Sequence, residues 1–69
     1  MKQNETPRLW IARDKDGSLC LHQEKPFCST NDVWYNALQT MFLNKNYFPE
    51  ITFENSPRQV ELKLCNDAN

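Results

Sequence analysis

The run Asp14-Lys15-Asp16-Gly17 constrains the fold of this chain more than any other feature. It separates two segments, Arg8 to Arg13 and Ser18 to Gln23, that read as strands. Asp suits the first position of a type I turn, and a glycine at the fourth takes the left-handed conformation that closes it. This is the three-residue hairpin loop with a bulge at the glycine. If Asp14 pairs with Ser18, Ile11 faces Leu21, Leu9 faces Gln23 and Arg13 faces Leu19. On the other side Trp10 meets His22 and Ala12 meets Cys20. Leu9, Ile11, Leu19 and Leu21 then make an apolar face, the core by default. Trp10, Ala12, Cys20 and His22 make a mixed face, which is either a covered second cluster or an exposed contact patch.

A hairpin alone is not stable in water, so the remainder must supply more strands or a cover. The chain has 69 residues, enough for one small domain. Leu, Ile, Val and Phe make up 15 of them. That is about 22%, just above the ~20% below which chains of high net charge stay disordered. The net charge is −1, so folding is expected, on a thin core. The run Gln59-Val60-Glu61-Leu62-Lys63-Leu64 alternates polar and apolar and reads as a strand with Val60, Leu62 and Leu64 inward. Ile51-Thr52-Phe53 reads as a short strand, and Phe27 to Asp32 as a polar loop after Pro26. Residues 1–7 and 66–69 are polar and are expected to be flexible tails.

The segment 30–43 can be read in two ways. As a short helix, Ser29 or Thr30 caps it and Trp34, Leu38, Met41 and Phe42 share a face. As strands, Val33 to Tyr35 and Thr40 to Leu43 flank a turn near Asn36-Ala37. Either way the fold class is mainly β: a small antiparallel sheet of four to five short strands built on the hairpin 8–23.

Eight basic residues oppose nine acidic ones, no two basic residues are adjacent, and acids interleave them. A nucleic-acid surface needs a basic stripe, so the balance argues against one. The first eight residues hold no apolar signal-peptide core, and the longest apolar run is Leu9 to Ala12. A bilayer span needs about 20 apolar residues. The expectation is a cytoplasmic protein with no membrane partner.

Three cysteines, Cys20, Cys28 and Cys65, cannot complete an intramolecular disulfide framework, and free thiols are expected. Cys20 and His22 lie on one side of a strand and, with Cys28 and Cys65, would make four zinc ligands. The spacing is not a usual zinc pattern, so no metal is assigned. The turn imitates part of a calcium loop, but Ala12 and Gln23 stand where that loop needs acids. His22 is the single histidine, and nothing in the sequence orients it against Cys20 as a nucleophile and base. No catalytic residues and no cofactor are expected.

Two strings, Trp10-Ile11-Ala12-Arg13-Asp14-Lys15-Asp16-Gly17-Ser18-Leu19 and Phe48-Pro49-Glu50-Ile51-Thr52-Phe53-Glu54-Asn55-Ser56-Pro57, followed by Val60-Glu61-Leu62, carry a resemblance. The chain resembles small bacterial proteins of the prophage and mobile-element kind, over about two-thirds of its length. That group brings no known activity. The resemblance implies a strand pair around a Trp in the middle segment, with a glycine in its turn. Here Asn36-Ala37-Leu38 occupies that turn. The resemblance tips 30–43 toward strand and implies an accessory role in a bacterium or phage.

The function expected from these readings is a non-catalytic protein-interaction module, with an unknown protein as partner and homodimer formation as one version. Trp10, His22, Trp34 and Tyr35 are the candidate contacts, because Trp and Tyr are enriched at interfaces. The alternative is a small β protein that stacks nucleic-acid bases on sheet aromatics.

Overall fold

The computed structural model describes residues 8–65, so the tails expected at 1–7 and 66–69 lie outside the described residues. Those described form a mainly β structure without a helix. Strands β1 (Arg8–Arg13) and β2 (Leu19–His22) pair with Trp10 opposite His22 and Arg13 opposite Leu19, the register that the turn chemistry predicts. Asp14 N donates to Ser18 O at 2.8 Å and Gly17 N to Asp14 O at 2.9 Å. Gly17 has φ of +100°. A Cβ there would meet nothing within 4 Å, so the backbone angle alone demands glycine.

Strands β3 (Phe27–Cys28) and β4 (Trp34–Tyr35) pair as a separate two-stranded sheet. Strand β5 (Thr40–Leu43) adds to β2, and β6 (Arg58–Glu61) adds to β1. The result is a four-stranded antiparallel sheet in the order β5-β2-β1-β6.

Segment 30–43 therefore holds strands rather than the short helix. Its two strands do not pair with each other across Asn36-Ala37. Strand β2 has β1 on one side only, and Leu43 and Met41 of β5 fill the other side opposite Leu19 and Leu21. Phe27-Cys28, read as loop, is strand because a tight turn returns β4 to it. Ser29 N donates to Val33 O at 2.8 Å, and Asp32 takes a φ of 64°, which Asp tolerates. Ile51-Thr52-Phe53, read as strand, is loop leading into a turn at Glu54-Asn55. Thr52 N donates to Asn55 Oδ1 at 2.8 Å and Asn55 Nδ2 to Glu50 O at 2.9 Å, local bonds that displace a ladder. The last alternating run is strand only as far as Glu61, and Leu62 and Leu64 are exposed rather than inward.

Both faces of the sheet are covered over the hairpin strands, by different segments. On the first face Ile11 and Leu19 pack with Ile51, and Leu21, Leu43 and Val60 close around them. On the second, Ala12, Cys20 and His22 are buried. Here Asn36 Oδ1 lies 3.0 Å from His22 Nδ1, and Asp14 Oδ1 accepts the amide of Trp34 at 2.8 Å. The two covers meet where the rings of Trp34 and Phe53 stand 6.2 Å apart.

Arg13 holds the first cover in place. Its Nε donates to Ile51 O at 2.6 Å, and Nη1 donates to Gly17 O at 2.9 Å and Lys45 O at 3.0 Å. Nη2 donates to Tyr47 O at 3.0 Å and Phe48 O at 3.1 Å. A guanidinium has five N–H donors in a fixed fork, and here each has a carbonyl. The Arg13 amide also donates to Ser56 Oγ at 2.9 Å, and that hydroxyl donates to Thr52 O at 2.6 Å. Residues 44–56 thereby close over Ile11 and Leu19 with Ile51 pointing in.

Lysine cannot reproduce this fork. Arg13→Lys should lower the unfolding free energy by about 2 kcal/mol, the net worth of one or two charged hydrogen bonds. Urea denaturation followed by Trp fluorescence reads it, and an unchanged midpoint would show that the fork does not hold the loop.

Candidate interaction surface

The direction of each backbone group on β5 follows from the hairpin turn. In an antiparallel ladder, hydrogen-bonded and non-bonded pairs alternate. The Asp14–Ser18 bond makes Ala12–Cys20 and Trp10–His22 the bonded pairs of β1 and β2. The Arg13 amide agrees, since it points away from β2 toward Ser56. Leu19 and Leu21 then direct their amides to β5, where they meet Leu43 and Met41. Thr40 and Phe42 consequently turn their N–H and C=O groups to the open edge of the sheet.

That edge is apolar and lacks the usual guards. From Val33 to Asn44 no charged residue, glycine or proline occurs. Met41 is 58% exposed and Phe42 75%. Strand β6, the opposite edge, carries Arg58 and Glu61. Charges are a common defence of sheet edges against pairing with another chain. Beside β5 the first face is left open beyond the reach of Ile51. A groove of about 610 Å³ runs there, lined by Leu9, Leu21 and Leu62 with Met41, Thr40, Gln39 and Gln23.

The candidate contacts fall on the second face and its cover. Trp10 and His22 are brought together, directly opposite each other on β1 and β2. His22 is fully buried. Trp10 is half-buried, with Lys25 Nζ 5.6 Å from its ring centroid. Trp34 is half-buried against Phe53, while Tyr35 is exposed, its ring tilted 54° to that of Phe27, also exposed, with centroids 6.1 Å apart. Because Asn36 presents its oxygen, His22 Nδ1 is the donor of their bond. His22 Nε2, Asn36 Nδ2 and Trp34 Nε1 have no hydrogen-bond partner. Met41, Phe42 and Leu62 were outside the candidate set. The uncharged run from Val33 to Asn44 was the signal that could have found them.

Chemistry-bearing groups are dispersed. Among the described residues no three His, Cys, Asp or Glu side chains come together as a metal site. Cys20 is buried, whereas Cys28 and Cys65 are exposed. Burial pushes the Cys20 thiol up to about 11, with the negative charges of Asp14 and Asp16 adding to it. The exposed Asp16 carboxylate is held below its usual value by the amide of Ser18, which donates to it at 2.9 Å. Comparison with known proteins found no matching family model, no similar curated protein and no similar solved structure.

Two thiols of the native protein, Cys28 and Cys65, should react at once with an aromatic disulfide reagent, and Cys20 only as fast as the fold opens. Three fast thiols would refute the burial of Cys20. The pH dependence has a definite sign. Cys20 holds its proton to higher pH in the fold than in the unfolded chain, where it titrates near 9.0. The stability this contributes is whole below pH 9 and is lost as pH rises through about 11. Denaturation midpoints should fall over that range more steeply in the native sequence than in Cys20→Ala.

Proposed function

We propose that the protein is a non-catalytic interaction module and that its binding surface is the β5 edge with the adjoining groove. The observation that supports this best is the edge itself. Thr40 and Phe42 offer backbone donors and acceptors outward, on a strand with no charge to repel a partner and two large apolar side chains exposed. A partner that adds an extended segment would satisfy those backbone groups and could seat apolar side chains against Leu9, Leu21 and Leu62. The aromatic pair Phe27 and Tyr35 is a second, smaller exposed patch.

The nucleic-acid reading has less support. Three basic groups on and beside the first strand are engaged within the chain, and Lys25 lies over Trp10 itself. Arg13 gives its five donors to carbonyls, Lys15 lies 3.7 Å from Asp32, and Arg8 lies 3.9 Å from Glu61. A bacterial or phage accessory role rests on the sequence resemblance. The described residues contain no helix long and apolar enough to cross a membrane.

A photo-crosslinking amino acid at position 42 should capture a discrete protein species in host cells, and the same group at Glu54 should not. Identification by mass spectrometry gives the partner. Equal labelling from both positions, or none from position 42, would overturn the proposal.

A further inference from the structure

We infer that the partner of β5 is a second copy of this chain, paired antiparallel through Thr40–Leu43 about a two-fold axis at Phe42. This rests on the reading of β5 as the binding edge. A two-fold interface brings one surface against itself, so a strand can pair with its own copy only where self-opposition is favourable in charge, facing and hydrogen bonding. Strand β5 meets each condition.

Charge comes first. With no ionised side chain from Val33 to Asn44, two copies oppose each other without like-charge contact. A hetero-partner selected by charge would find nothing on this strand to read. Facing comes next. Opposed residues of an antiparallel ladder share a face. With Phe42 on the axis, Phe42 meets Phe42 of the second copy on the second face. Met41 meets Leu43 and Leu43 meets Met41 on the first face. Thr40 meets Asn44. Every large apolar group of the edge then has an apolar group opposite it, including Phe42 and Met41, the two that one copy leaves most exposed on this strand. The register with Met41 on the axis sets each Phe42 against Thr40 and leaves Leu43 against Gln39.

Hydrogen bonding agrees with the same register. The N–H and C=O of Phe42 and Thr40 are the groups turned to the open edge, as the ladder parity requires. Two Phe42 residues facing one another exchange both bonds, while beyond the strand Asn44 O already accepts the Tyr47 amide at 3.0 Å, so the central Phe42 pair carries the pairing. The two sheets join into one continuous sheet. The first-face grooves of the two copies then lie on the same side of it, flanking the shared strands.

The test uses the full chain and reads mass in solution by light scattering after gel filtration. The native chain should run at twice its chain mass at tens of micromolar. Phe42→Lys and Phe42→Glu should each run at the single-chain mass, since each sets like charges face to face on the axis. An equimolar mixture of the two should regain the doubled mass, because Lys then faces Glu. Circular dichroism of each variant checks the fold, which an exposed side chain should leave intact. A native chain that stays at single mass at hundreds of micromolar overturns self-pairing. In that case, crosslinking of position 42 to a different protein leaves the interaction surface standing, and crosslinking to nothing removes both. A doubled mass that survives Phe42→Lys, or a mixture that fails to restore it, places the contact elsewhere and also overturns the inference.

Discussion

Arg13 gives its side-chain donors to five backbone carbonyls drawn from three parts of the chain: Gly17 in the turn, Lys45, Tyr47 and Phe48 in the long loop, and Ile51 at the core. Among the described residues no carboxylate shares in this. The cation is held by carbonyl oxygens, which keep the loop backbone satisfied while it turns back over the sheet. Phe48 takes a φ of 49°, an uncommon conformation for a bulky residue, and its carbonyl receives both Arg13 and the amide of Ile51. That placement delivers Ile51 onto Ile11 and Leu19. The first face is closed by one isoleucine on a loop pinned by one arginine, together with Leu21, Leu43 and Val60 of the sheet.

The hairpin was legible because its determinants are local. Asp14, Asp16 and Gly17 specify the turn, and the turn dictates the pairing of Trp10 with His22 and Ile11 with Leu21. The fate of 30–43 was not local. Its residues suit helix or strand about equally, and what decides is the unsatisfied side of β2 opposite Leu43 and Met41. Ile51 was legible as an apolar residue but not as a loop plug, because its position depends on a bond to a residue 38 positions away in sequence. Leu62 and Leu64 show the reverse error. Their alternation is faultless, yet β6 ends at Glu61 and both leucines are exposed.

The mixed face of the hairpin resolves as a covered cluster. Ala12, Cys20 and His22 lie under the segment that includes Asn36, and His22 bonds to Asn36 within it. Trp10 and Trp34 are partly withdrawn from solvent, while the open backbone and the most exposed large side chain of the sheet belong to β5. Aromatic content pointed to interface composition, whereas the unguarded edge is a matter of strand order: β5 is outermost because β2 closes the hairpin and has one free side.

The claim at the centre is that a fully engaged guanidinium organises the loop and hence the core. Its most direct measurement is the NMR spectrum of the Arg13 side chain. If the five N–H groups hold five carbonyls, rotation about the Nε–Cζ and Cζ–Nη bonds is hindered. The Nε proton and the four Nη protons then give separate, slowly exchanging resonances, with the Nε proton protected from solvent. Averaged, rapidly exchanging Nη signals like those of a solvated arginine would contradict the account.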